Sequence, residues 1–317
     1  MQRAERIRPR PKKQGLAFQR RRAHDSVMAD SRTVLTRVVL GAMMIAAVGG
    51  LLVLDWYATI PLADVKGYVL ACAVILLGVL AFLEIGRLAR EAGAGVLTCS
   101  GLFGTIVLGT MPVWRQLFPF LLLDDVWFVL GALVILAFLE QMIRYRVDGA
   151  IGRIAATLLA VLYLGAGTAL MLDIRMVRGV PTLALFLAAV KSADIGAYFV
   201  GTAVGRHKLI AWLSPGKSWE GLIGALAAGA GTAVLAAWLL GLHPPLATGM
   251  SLRQAAVFGV VVALAGQFAD LCESLLKRSA RAKDSGSLVP EFGGVLDIID
   301  SPLLAAPVAY LLLEIML

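Results

Sequence analysis

The sequence predicts an all-α, polytopic integral membrane protein with about nine transmembrane helices. Three observations predict it. Of 317 residues, 59% are hydrophobic, whereas soluble domains hold about 45–50%, and the mean hydropathy is +0.84. Apolar runs recur along the chain, each about 20 residues long, the length that crosses a bilayer core as a helix. Glycine is frequent inside these runs, as at Gly221, Gly224, Gly229 and Gly231, and small residues let helices approach closely in lipid.

Residues 1–33 form a polar tail that carries Arg3, Arg6, Arg8, Arg10, Lys12, Lys13, Arg20, Arg21, Arg22 and Arg32. It has no apolar core of its own, so it does not read as a secretory signal peptide. Its composition predicts a disordered cytoplasmic segment near anionic lipid heads, or a solubilising or orienting tail. Beyond it the expected spans are 34–54, 65–84, 94–112, 124–143, 152–172, 180–202, 219–241, 254–276 and 300–317. Residues 34–175 read as N-terminal transmembrane helices. Residues 176–317 read as a second transmembrane region that carries the polar motifs and their loops.

Loop charge predicts the orientation. Alternate connections hold Arg87 and Arg90; Arg144, Arg146 and Arg153; Arg206, Lys208 and Lys217; and Lys277, Arg278, Arg281 and Lys283. The other connections hold only Lys66, Arg115, Arg175, Arg178 and Arg253. The positive-inside rule then puts the N-terminus and the motif loops in the cytoplasm.

The formal net charge is +8. No basic stripe with interleaved aromatics accompanies it, so the expected partners are anionic lipids and phosphates, not nucleic acid. Cys72, Cys99 and Cys272 are odd in number and widely spaced, which fits neither a disulfide framework nor a zinc site. His24, His207 and His243 are scattered as well.

Charge inside a membrane is costly, so each instance asks for a reason. In the N-terminal half, Glu84 and Glu140 sit near span ends, where snorkelling or interface capping accounts for them. The C-terminal half holds three clusters. Lys191, Asp194 and Tyr198 fall at i, i+3 and i+7 on one helical face. They form either an ion pair that holds helices together or the wall of a polar cavity. The stretch from Gly205 to Gly221 supplies Arg206, His207, Lys208, Ser214, Lys217, Ser218 and a helix start. Those parts suit phosphate, or an ordinary cytoplasmic loop. Its Gly-Lys-Ser fragment is no Walker A loop, because Ala211 stands where that pattern needs glycine.

The third cluster is the richest. Asp270, Ser274, Lys277 and Arg278 are spaced i, i+4, i+7 and i+8 on one helical face, and Lys283 and Asp284 follow. A deep carboxylate with cations nearer the helix end suits a magnesium–polyphosphate complex. Glu291, Gly293, Gly294, Asp297 and Asp300 add acids and a turn that lets backbone approach closely. The alternative is a charged re-entrant loop with structural salt bridges.

These residues resemble the phosphatidate cytidylyltransferase (CDP-diacylglycerol synthase) family over roughly residues 180–310. Ser274, Lys277, Arg278, Lys283, Asp284, Gly293, Gly294, Asp297 and Asp300 match its C-terminal signature. Asp194-Ile-Gly-Ala-Tyr198, Gly-Arg-His-Lys-Leu and Ser-Pro-Gly-Lys217-Ser-Trp-Glu220-Gly match its upstream motifs. Two positions depart: Phe292 stands for the usual histidine, and Ile298 for the usual arginine. The resemblance implies a Mg²⁺-dependent nucleotidyltransferase in the bacterial inner membrane, with its active site facing the cytoplasm. CTP and phosphatidic acid would give CDP-diacylglycerol and pyrophosphate. Asp270 and Asp284 are the expected metal ligands, and a second cation is left open. Lys277, Arg278, Lys283, Asp297 and Asp300 are the expected catalytic set. Asp194, Tyr198, Arg206, Lys208, Ser214, Lys217, Ser274, Gly293 and Gly294 are the expected substrate contacts. A homodimer is left open. A CTP-dependent lipid-alcohol kinase, a transporter and a structural scaffold are the rival readings.

Overall fold

The computed structural model describes residues 39–58, 65–118, 126–243, 246–288 and 293–317. The basic tail, Glu291 and Phe292 lie outside the described residues. Contacts divide the chain into two units, Met1–Val48 and Gly49–Leu317. The described part of the first unit is the opening of helix α1.

In hydrocarbon every backbone N–H and C=O needs an internal partner, so apolar runs become helices. The helices are α1 (Val39–Tyr57), α2 (Tyr68–Glu91), α3 (Thr98–Gly109), α4 (Met111–Leu117), α5 (Val126–Tyr145), α6 (Ala150–Arg178), α7 (Val180–Val204), α8 (Trp219–Gly241), α9 (Leu252–Ser279) and α10 (Leu296–Met316). Among the described residues, all but α3 and α4 are long and apolar enough to cross a membrane, which makes eight. The chain is an integral membrane protein.

The run expected at 94–112 is broken. Thr110 leaves helical geometry at φ −105°, ψ 9°, and Pro112 starts α4 afresh. Proline cannot donate to the preceding turn but suits a first turn. The two short helices still cover one bilayer thickness. The amide of Leu97, just before α3, donates to Thr157 Oγ1 of α6 at 2.8 Å. At the end of α4, Gln116 Nε2 donates to Met176 Sδ at 2.8 Å. Those two α6 residues are nineteen apart, about 29 Å at 1.5 Å per residue. The expected third span is therefore two short helices, and among the described residues eight helices are long and apolar enough to cross.

The all-α expectation has one small addition. Strands β1 (Lys208–Ile210) and β2 (Ser214–Ser218) form an antiparallel hairpin between α7 and α8, with Lys208 opposite Ser218. Glu220 closes its base, accepting from the amides of Arg206 and His207 and meeting His207 Nδ1 at 2.6 Å. Local sequence starts the flanking helices. Ser218 Oγ accepts from the Gly221 amide at the head of α8, and Ser251 with Gln254 makes a reciprocal capping box for α9.

Helices α7, α8, α9 and α10 pack around Phe186 and Phe258, both fully buried. In lipid, dispersion and close approach carry such packing. A Cβ on Gly229 of α8 would stand 2.7 Å from Ala263 Cβ and 2.9 Å from the Gly259 carbonyl of α9. Only glycine permits that spacing. It brings α7, α8 and α9 close enough for their polar residues to meet.

Candidate active site

The C-terminal halves of α2, α7 and α9 meet the N-terminus of α10, with the hairpin beside them. A cavity of about 350 Å³ lies there. Its walls are Lys191 and Asp194 from α7, Lys217 from β2, and Asp270, Glu273, Ser274 and Lys277 from α9. Asp284 from the following loop and Asp297, Asp300 and Ser301 from α10 complete them.

Three carboxylates from three helices meet at one hydroxyl. Ser301 Oγ stands 2.5 Å from Asp270 Oδ1, 3.2 Å from Asp300 Oδ1 and 3.3 Å from Asp194 Oδ2. A hydroxyl has one proton, so it donates to one of them at a time. Like charges about 4 Å apart cost about 4 kcal/mol even in a partly screened site. Such a cluster persists because cations face it. Lys217 Nζ reaches Asp270 Oδ2 at 2.9 Å and the Gln267 carbonyl at 3.1 Å. Lys191 Nζ reaches Asp194 Oδ2 at 3.2 Å, and Gln267 Nε2 donates to Asp194 Oδ1.

A second set holds the loop between α9 and α10. Asp297 Oδ2 accepts from the amides of Ser285 and Gly294 at 2.9 and 2.7 Å. Its Oδ1 meets Lys277 Nζ at 2.7 Å, and that ammonium also meets Glu273 Oε2 at 2.6 Å. Gly293 sits at φ +94°, and a Cβ there would stand 2.6 Å from Asp297 Oδ2. The turn thus needs glycine for conformation and for space.

Of the residues expected from the sequence, Asp194, Lys217, Asp270, Ser274, Lys277, Asp284, Asp297 and Asp300 share this cavity. Gly293 and Gly294 shape the turn beside it. Six do not line it. Arg278 points to the carbonyls of Leu213 and Ala282, tying hairpin to loop. Eight residues turn a helix 800°, which leaves Arg278 about 80° from Asp270, whereas Lys277 is offset by about 20°. Tyr198 shares the face of Lys191 but lies about 10 Å further along the axis, exposed and edge-on to Phe199. Arg206, Lys208 and Lys283 are exposed, and Ser214 lies half-buried on β2.

Sequence reasoning gave no role to Glu273 or Ser301 and assigned Glu84 to a span end. Glu84 is buried and caps a helix other than its own. It accepts from the amides of Val295 and Leu296 at 2.9 and 2.8 Å and from Ser285 Oγ at 3.0 Å. Helix α10 has no side-chain cap at its own N-cap residue, and Glu84 replaces it across the fold. Glu140 does the same for α3 through the amides of Cys99 and Ser100. The only signal for either was an acid in an apolar run. Glu273 is buried, and its Oε1 has no hydrogen-bond partner among the described residues.

The donor set suits a hard cation. Asp270 and Asp284 both open on the cavity, whose lining offers oxygens and ammonium groups but no histidine or cysteine. Among the described residues, no three His, Cys, Asp or Glu side chains form a ready-made metal cage. Mg²⁺ fits such a site, because it takes one or two carboxylates and fills its shell with water and phosphate oxygens.

Known proteins match the sequence of this chain. An uncharacterized Escherichia coli K12 protein, YnbB, is 39% identical over 142 residues, 44% of this chain and 45% of that one. The phosphatidate cytidylyltransferase of Brucella suis is 41% identical over 133 residues, 42% of this chain and 47% of that one. That of Mycobacterium tuberculosis H37Rv is 36% identical over 131 residues, 41% and 38% respectively. The chain thus spans less than half the length of these curated relatives. The family match runs further, from residue 35 to residue 316, and takes in every wall of the cavity: the chain belongs to the cytidylyltransferase family.

Proposed function

We propose that the protein transfers the cytidylyl group of CTP to phosphatidic acid, giving CDP-diacylglycerol and pyrophosphate. The observation that carries this reading is the cavity itself. Its acids and lysines face one another around a space, within a chain that matches the family from residue 35 to residue 316. The excess of Lys and Arg at the cavity end supports a cytoplasmic orientation in a bacterial inner membrane.

Both reactants are anions, so neutralisation and positioning are the central tasks. A phosphate monoester carries about −1.5 to −2 charges at pH 7. Its attacking oxygen is therefore already unprotonated and needs no general base. That oxygen forms a bond to the α-phosphorus of CTP, and the bond from that phosphorus to the β-phosphate oxygen breaks. The electron pair leaves with pyrophosphate. Lys217 and Lys277 neutralise phosphate charge, Lys217 held in place by Asp270 and Lys277 by Glu273 and Asp297. Asp297 and Glu84 fix the loop that carries Asp284. Asp270 and Asp284 would hold Mg²⁺, which when bound supplies charge stabilisation to the transferring phosphoryl group.

The test is incubation of purified protein with CTP labelled in its cytidine, phosphatidic acid and Mg²⁺. Label is expected in the lipid phase with an equal amount of pyrophosphate released, and both are expected to vanish in chelator. Release of labelled CDP without labelled lipid would identify a kinase instead and overturn the reading.

A further inference from the structure

The geometry points to Lys191 as the group that holds the phosphate of the lipid acceptor. This inference rests on the transferase reading of the cavity and adds a residue that the expected substrate and catalytic sets do not contain.

Three lysines line the cavity, and an ammonium has three donors. Lys277 is shared by two carboxylates, and its side chain is 14% exposed. Lys217 is shared by a carboxylate and a carbonyl and is 19% exposed. Lys191 has one partner among the described residues, Asp194 at 3.2 Å, and is 41% exposed. It has the most capacity left for a ligand.

Depth assigns the ligand. Ser192 Oγ donates to the Ala228 carbonyl of α8 at 3.4 Å, so Lys191 lies near that level. Ala228 is nine residues into α8 from Trp219, about 13 Å along the axis, well inside a 23-residue apolar helix. An ammonium turned to lipid at that depth is costly. Its exposed surface opens on the cavity instead. CTP arrives from water and meets Lys217 on the hairpin. The acceptor phosphate enters from the bilayer side and meets the cation with the fewest partners.

Helix α7 faces α10 across the Asp194–Ser301 hydrogen bond, and Lys191 supplies a cation from there.

The experiment compares the full chain with Lys191→Met and Lys191→Arg in mixed micelles, titrating each substrate separately. Loss of one charged hydrogen bond is expected to raise the KM for phosphatidic acid about tenfold or more in Lys191→Met. The KM for CTP should stay within about twofold, and Lys191→Arg, which keeps the charge in a different shape, should recover part of the affinity for phosphatidic acid that Lys191→Met loses. An unmoved KM for phosphatidic acid, or an equal rise for CTP, overturns the assignment. A measurement on wild type covers a variant that fails to fold. Phosphatidic acid without CTP should slow reductive methylation of Lys191, read by mass spectrometry, and absence of protection also overturns it. A wild type that makes no CDP-lipid sinks the transferase reading and this inference together. Normal transfer with an unmoved Lys191→Met sinks the inference alone.

Discussion

The two ends of the Gly49–Leu317 helix bundle handle buried charge in opposite ways. At the end away from the cavity, Asp55 is fully buried and meets Arg175 Nε at 2.5 Å. Its carbonyl accepts from the same guanidinium, and its other carboxylate oxygen accepts from the Leu70 amide. Arg178 pairs with Glu314 and Arg115 with Asp173. The planar guanidinium of Arg175 closes Asp55 off with two of its nitrogens. At the cavity end, the acids outnumber the ammonium groups around an open space, and the cations are lysines. Closed pairs lock helices, whereas an unbalanced cluster around a void keeps charge available for a ligand.

The largest effect expected from this contrast is on stability at the closed end. Asp55→Asn leaves Arg175 buried without its counter-charge, which costs about 3–5 kcal/mol. Transfer per folded molecule should change less than about twofold, because no cavity residue touches the pair. Thermal unfolding in detergent read beside activity checks both. The double change Asp55→Leu with Arg175→Met should recover most of the loss, since it removes both charges together.

The next effect reverses that pattern. Asp270→Asn should lower kcat/KM at least about 100-fold, as loss of a preorganised charged group at a reacting phosphate does, while the unfolding temperature moves little. Asp284→Asn, exposed at the loop, should act the same way with still less effect on stability. Retention of normal Mg²⁺-dependent transfer by both would remove these carboxylates from the site. A large stability loss in Asp270→Asn would erase the distinction between the two ends.

Much of this contrast was legible in the sequence, and the missing part has physical causes. Hydropathy located the helices because each must satisfy its backbone internally. It did not show that Thr110 and Pro112 break one run, since a broken helix is as apolar as a whole one. The hairpin was hidden because Ser214–Ser218 shows no apolar alternation. Asp194, Asp270 and Asp300 stood out as charge in apolar surroundings, yet their meeting at Ser301 is a tertiary fact that no spacing encodes. Glu84 lies 211 residues from Val295, the amide that it caps. Arg278 was placed on the wrong side of α9 because an i+8 step drifts by most of a right angle.

A smaller effect tests the support behind the cavity. Glu84→Gln keeps one acceptor oxygen where the native carboxylate has two, and the amides of Val295 and Leu296 use both. The loss of part of a helix cap costs about 1 kcal/mol. Because this cap fixes the loop that carries Asp284, kcat should fall several-fold while the KM for CTP stays near wild type. A change in stability with unaltered kcat would make Glu84 a brace for α10 alone.

The smallest effect is expected outside the cavity. Arg206 and Lys208 are exposed on the hairpin and line no part of the cavity. They can act on CTP only through the field that they cast over the approach. At physiological salt that field decays over about 8 Å, whereas at 0.01 M salt it reaches about 30 Å. Replacing both by alanine should therefore lower kcat/KM for CTP less than about twofold at physiological salt and several-fold more at low salt. A loss that persists unchanged across that range would mean direct contact with phosphate, and would extend the charged site from the cavity out onto the hairpin.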